Sequence, residues 1–190
     1  MSHKKYIIPF TEEEPLIVQG YNGPFSHFAV RHGNDYTYAL DFKLPYGTPI
    51  VAARSGKVKL LLDSSSQCYT GVDIEEARGY IPNAIEIRHD DGSIAHYQHL
   101  QKGSIRAHYL QFGDYVSQGQ EIGNTGKSGW IGLIPHLHFM VYNSTCDFMG
   151  KRMLQTRPID FTNYQGLLYH EELKEMYGSD YPFLFSPAGV

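Results

Sequence analysis

Cysteine is scarce in this chain: only Cys68 and Cys146 occur among 190 residues, far apart and in no C-x-x-C pattern. That excludes a cysteine-built zinc site or a dithiol redox motif, and leaves free thiols, or one disulfide if the protein is exported. Positive charge is also short. Sixteen Lys and Arg face twenty Asp and Glu, a net charge of −4, which argues against nucleic acid as a partner because such binders present a basic face. No apolar run approaches the roughly 18–20 residues of a membrane-spanning helix. The apolar stretch near the start, in "MSHKKYIIPFTEEEPL", stops at Pro9 and meets acidic residues, too soon for the core of a secretory signal. The chain is therefore expected to act in the cytoplasm or to be a mature form. Internal repeats, low-complexity tracts and interdomain linkers are missing too. The length suits one domain with a sizeable core.

Glycine and proline are plentiful. Nineteen glycines and ten prolines punctuate short apolar runs, the texture of a β-rich fold. Strands are predicted at 26–31, 36–42, 49–53, 57–62, 84–89, 94–100 and 136–142, with "DDGS" (90–93) as a tight hairpin turn. "GDYVSQGQEIGNTG" (113–126) adds two very short strands. The polar excursion 63–83 interrupts a hairpin, and a loop of that length is often functional. One helix is expected, in "YQGLLYHEELKEMYG", with Gly178 after its end.

Ten histidines are many for this size. His3, His108 and His170 lie in a terminus, a polar stretch and the expected helix, and receive no role. "HLHFMVY" differs, because His136 and His138 share one face of a strand. Two imidazoles in an apolar segment cost desolvation energy unless something binds them. In "SHFAVRHGNDYTYALDF" a turn centred on Asn34 would place His27 opposite Asp41, whereas His32 would sit at the hairpin tip, out of reach. Asp41 is flanked by apolar residues, which suits a ligand better than a surface carboxylate. Two histidines and one aspartate leave a coordination position open, the pattern of a catalytic rather than a structural zinc. The H-x-H has a histidine to spare for proton transfer. "HYQHL" supplies another, but His96 and His99 are three apart and face opposite sides of a strand, so only one is expected at the site.

Taken together, "SHFAVRHGNDYTYALDFKLPYGTPIVAARSGKV", "HYQHL", "GDYVSQGQEIGNTGKSG" and "PHLHF" resemble the lysostaphin-type (LytM-like) zinc metallopeptidases, in order over residues 20–142. The resemblance implies zinc ligands His27, Asp41 and His138, with His99 and His136 as the catalytic pair. Many members space their first two ligands as H-x-x-x-D. Here fourteen positions separate His27 from Asp41, as in an "SH…ALDF" variant, and the hairpin makes that spacing workable.

The fold expected is mainly β: a single antiparallel β-sheet domain with a cleft walled by residues 20–35, 63–83, 101–113 and 125–135. It would comprise an extension at 1–19, a zinc metallopeptidase domain at 20–160 and a helical extension at 161–190. The implied activity is Zn2+-dependent endopeptidase action on peptidoglycan stem peptides or cross-bridges, by a monomer in the periplasm or outside the cell. The alternative is a zinc-binding, non-catalytic module that binds cell-wall peptides or a protein partner. The paired glycine turns also occur in biotinyl and lipoyl carriers, but "SQGQ" offers no lysine for attachment. The G-K-S of "NTGKSGW" lacks P-loop spacing. Trp130 either lines a substrate groove or packs.

Overall fold

In the computed structural model the described residues are 6–11, 16–23, 26–27, 35–71, 73–132, 134–146 and 152–163. Among them, the strands in order are β1 (Leu16–Gln19), β2 (Leu40–Lys43), β3 (Pro49–Val51), β4 (Gly56–Leu62), β5 (Cys68–Tyr69) and β6 (Ala84–Arg88). Then come β7 (Ile94–Gln98), β8 (Tyr115–Val116), β9 (Glu121–Asn124), β10 (Gly129–Trp130), β11 (His136–Cys146) and β12 (Arg152–Thr156). Two single-turn helices, α1 (Ile74–Ala77) and α2 (Ser104–Ala107), sit in loops.

The main sheet runs β1-β2-β11-β7-β6-β4-β8, with β12 also pairing with β11. Every pairing in it is antiparallel. Because side chains alternate across a strand, β11 divides cleanly. Leu137, Phe139 and Val141 join Leu40, Phe42, Ile85, Ile87, Ala95 and Tyr97 in the main core on one face. Burying each large apolar side chain there is worth roughly 1.5–3 kcal/mol. His136, His138, Met140 and Tyr142 point to the other face, beside Asp41 of β2 and His96 of β7. One face is thus spent on stability, which frees the other for polar groups.

The core face is covered by a small β3–β9 sheet and by the segment around Tyr6, Ile8 and Phe10, all three buried in the main cluster with Ile159 and Phe161. These residues from before position 20 therefore pack as part of the domain, and β1 forms its edge. The expected hairpin at "DDGS" closes β6 onto β7, with Gly92 at φ +82° and the Ser93 carbonyl accepting from the His89 N–H at 2.8 Å. "GDYVSQGQEIGNTG" gives β8 and β9, as expected.

Four expectations need correction or qualification. The strand at 26–31 fails at its start, because Ser26 and His27 lie outside any strand. His27 is not the cross-strand partner of Asp41: both neighbouring positions are taken, by Gln19 of β1 and His138 of β11. The strand expected from residue 36 begins only at Leu40, since Tyr36–Ala39 form a turn in which Asp35 Oδ1 accepts from the Thr37 N–H at 2.9 Å. The helix expected in "YQGLLYHEELKEMYG", including Gly178, lies outside the described residues.

Candidate metal centre

The register of β2 against β11 places Asp41 directly opposite His138 on the sheet's second face. The His138 Nδ1 lies 2.8 Å from Asp41 Oδ1. His27 reaches the same carboxylate from the loop after β1, its Nε2 3.3 Å from Oδ2. One ligand atom from each of His27, Asp41 and His138 falls within 4.8 Å of the others, and all three residues are buried. The fold thus brings together the three residues expected from the sequence, but His27 arrives by a loop and not by a hairpin strand.

Hydrogen bonding decides which nitrogens face inward. The Gly20 carbonyl can only accept, so His27 Nδ1, 2.9 Å away, carries the hydrogen and Nε2 is the free nitrogen. That Nε2 is buried without a hydrogen-bond partner, as is His138 Nε2. Two acceptors, the His27 Nε2 and an Asp41 oxygen, face each other at 3.3 Å. A buried arrangement of this kind calls for a cation, and two imidazoles with one carboxylate suit a borderline-soft divalent metal such as zinc.

Electrostatics agree. Burial alone would raise the Asp41 carboxyl, but the surrounding imidazoles of His27 and His136 and the hydrogen bond from His138 hold it well below the usual carboxylate range. Burial pushes the His138 imidazole down to about 4 despite the pull of Asp41. Both groups are therefore in the protonation states a metal requires.

His136 stands at the start of β11, its Nδ1–H donating to the Ile134 carbonyl at 2.7 Å and its Nε2 3.6 Å from Asp41 Oδ1. His99 approaches from the other side, ring centroids 4.7 Å apart at 76°. It follows the end of β7 and adopts φ +69°, a left-handed conformation rare for residues with a side chain. Such strain persists only where surroundings over-determine it. Here the His99 carbonyl accepts from the Gly126 N–H at 2.9 Å, and its Nδ1–H donates to the Ser128 carbonyl at 2.8 Å. A Cβ on Gly126 would run into the Leu100–Gln101 backbone, so only glycine approaches this closely. Burial, then the neighbouring His136 and His138, hold His99 well below the usual histidine range.

The left-handed turn also alters the expectation that only one of His96 and His99 comes to this face. Both His96 and His99 come near His138, with ring centroids 6.4 and 6.1 Å away. His96 still belongs to a different network: its ring nitrogens contact Glu86 at 3.2 Å and Gln98 at 3.0 Å. His108 lies at the end of α2, 4.0 Å from Glu121 and away from the trio. Trp130 packs: half-buried, it donates from Nε1 to the Gly71 carbonyl at 2.8 Å, and the parallel β5–β10 pair ties segment 63–83 to segment 125–135. Cys68 is exposed and free. No described helix is long and apolar enough to cross a membrane.

The model of peptidase family M23 matches residues 35–153. The chain belongs to peptidase family M23. The M23 match spans Asp41, His99, His136 and His138 but begins after His27, so the place of His27 rests on geometry. Among curated relatives, the peptidoglycan DD-endopeptidase ShyC of Vibrio cholerae is 35% identical over 99 residues, 52% of this chain and 18% of that protein. Lysostaphin of Staphylococcus simulans is 34% identical over 103 residues, 54% of this chain and 17% of that protein. The matched region thus spans under a fifth of either relative. Among solved structures, a zinc-containing peptidase from Vibrio cholerae superposes with TM-score 0.50 at 26% identity, covering 73% of this chain and 36% of that one.

Sequence reasoning missed the supports: Gln19, Ser26, Asn83 and Ser128. Glutamine, serine and asparagine carry no metal or acid–base signature. For Gln19 and Ser128 the one signal was a neighbouring glycine, in "VQGYNG" and "TGKSG"; Ser26 and Asn83 had none.

Proposed function

We propose that this M23 chain is a zinc-dependent endopeptidase that hydrolyses peptide bonds in peptidoglycan stem peptides or cross-bridges. His27, Asp41 and His138 would hold the metal, and His99 and His136 would act on the substrate. The observation carrying this is the pair of buried acceptors, His27 Nε2 and Asp41 Oδ2, 3.3 Å apart beside His138. The substrate class is supported by the named activity of the ShyC relative. A substrate of that class would lie outside the cytoplasmic membrane, and the proposed site of action with it.

Zinc would supply Lewis acidity, polarising the scissile carbonyl and acidifying water. The chain's own groups do the rest. His99 donates its Nδ1 proton to Ser128 and is neutral near pH 7, so its Nε2 is available to accept a proton. His136 presents Nε2 next to Asp41, where the neutral ring can orient the attacking water as an acceptor and, once protonated, would steady charge that develops on the carbonyl oxygen. The carbonyls of Ser128 and Ile134 keep both rings from turning away.

The test is digestion of defined muropeptides, with products read by mass spectrometry. Cleavage at a peptide bond by the zinc-loaded protein, lost in His136→Ala while zinc stays bound, is the expected result. A zinc-loaded wild type that cleaves no muropeptide would overturn the reading in favour of a binding module.

A further inference from the structure

We infer that Gln19 is a positioning residue for the metal centre: it locks the carboxylate of Asp41 and the loop bearing His27 into one unit. This rests on the metal role proposed for His27, Asp41 and His138.

Gln19 ends β1, is buried, and sits beside Asp41 in the β1–β2 register. The Ser26 backbone N–H donates to its Oε1 at 3.1 Å. A backbone N–H can only donate, so this bond fixes the oxygen end of the amide and turns Nε2 the other way. Nε2 then donates to Asp41 Oδ2 at 2.8 Å and to Ser26 Oγ at 2.9 Å. The bond to Oδ2 stops the carboxylate rotating, while Oδ1 stays beside His138 Nδ1. The two bonds to Ser26 hold the residue immediately before His27.

The described residues of this stretch are tied to one another beside this side chain. His27 N–H donates to the Gly23 carbonyl at 3.0 Å, Gly23 N–H to the Gly20 carbonyl at 3.1 Å, and His27 Nδ1 to the same Gly20 carbonyl. A Cβ on Gly23 would collide with Gln19 Cγ and lie 2.9 Å from its Cδ and Oε1. Gly23 is thus glycine to make room for Gln19. The string Q-G-x-x-G-x-x-S-H, residues 19–27, reads as one device in which an amide sets the distance between two proposed metal ligands fourteen positions apart. It replaces the rigid spacing that ligands close in sequence would have.

The test uses the full chain and zinc affinity measured by competition with a chromophoric chelator, together with the visible spectrum of the cobalt-loaded protein. Gln19→Met keeps the length of the side chain and removes its hydrogen bonds. The expected result is a zinc affinity about 10- to 100-fold weaker, with altered cobalt bands, in a variant whose metal-free circular dichroism matches wild type. Gly23→Ala displaces the amide without deleting it and should weaken zinc comparably. In a Gln19→Ala background the same alanine should have no further effect, because its collision partner is gone. Folded Gln19→Met with affinity within about two-fold of wild type and an unchanged cobalt spectrum would overturn this role alone. Should Gln19→Met fail to fold, Gly23→Ala decides by the same criterion. A wild type that binds neither ion would overturn the metal site itself, and this role with it.

Discussion

Metal removal should destabilise this protein by an amount set by mass action. Asp41 and His138 occupy directly opposed positions on two central strands, and His27 is bound to that pair through its loop. The ligands are therefore assembled by the fold, and the unfolded chain has no comparable site. Binding free energy then appears as native-state stability, RT ln(1 + [L]/Kd), or about 2.7 kcal/mol at free zinc 100-fold above Kd. In a chain of this size each kcal/mol moves Tm by roughly 2–4 °C, so the midpoint should rise by about 5–11 °C over that in chelator. Differential scanning calorimetry in buffered zinc and in excess chelator reads the difference directly.

Asp41→Ala provides the control. It deletes both oxygens that approach His27 and His138, so the zinc-dependent rise should vanish, leaving the two midpoints within about 1 °C. A wild-type midpoint that ignores zinc, or an Asp41→Ala protein that keeps the full rise, would refute the argument that these three side chains form the site.

Three further outcomes are expected. His99→Ala should lower kcat/KM on muropeptides by about 10²- to 10⁴-fold while zinc affinity stays within a few-fold, read by steady-state assay and chelator competition. Tyr97→Phe should cost about 1–3 kcal/mol in urea unfolding, because the fully buried Ala53 N–H loses the Tyr97 hydroxyl oxygen that accepts its hydrogen bond at 2.8 Å. Burial lowers His89 to about 4, with Arg54 and Arg157 adding to the shift and the Ser55 carbonyl and Asp91 opposing it. The unfolded state, titrating near 6.5, takes up the proton first, so this stabilisation is lost as pH falls from about 6.5 towards 4. Between pH 7 and pH 5 the loss should be about 2 kcal/mol, and in metal-free His89→Phe the stability difference between those two pH values should shrink by that amount.

The parts of this molecule that were legible in its sequence share one property: a local period announces them. "HLHFMVY" alternates, so the shared face of His136 and His138 follows from their spacing alone. "DDGS" between two β-rich runs was equally plain. His27 shows the limit. Its partnership with Asp41 was anticipated through a hairpin, yet the real neighbours in the sheet are Gln19 and His138. The strand "LIVQ" that displaced it is four residues long and follows Pro15, too brief for a pattern to stand out. His99 could be chosen over His96 only through the family resemblance, for another reason. Its φ of +69° is imposed by Gly126 and Ser128, more than 25 positions later, and no local rule reports so distant a constraint.

The supports of the site explain why so little of it is written in side chains. His27, His99 and His136 are each oriented by a backbone carbonyl, of Gly20, Ser128 and Ile134 respectively. A carbonyl is present whatever residue occupies the position, so the path of the backbone orients each ring. Paths of this kind are held by other means: Asn83 accepts the Ser65 N–H and donates to the Leu100 carbonyl, while Ser128 Oγ accepts the Asn83 N–H and donates to that same carbonyl. His138 is the exception, being held by the Asp41 side chain. Asp41 is held in turn by Gln19. Substitutions at Ile134 that preserve its carbonyl position should therefore leave His136 in place, whereas the chain Gln19–Asp41–His138 depends on side chains at every step and tolerates no replacement that shortens it. Function in this fold is fixed most rigidly where side chains hold side chains, and those are the positions where sequence and mechanism must coincide.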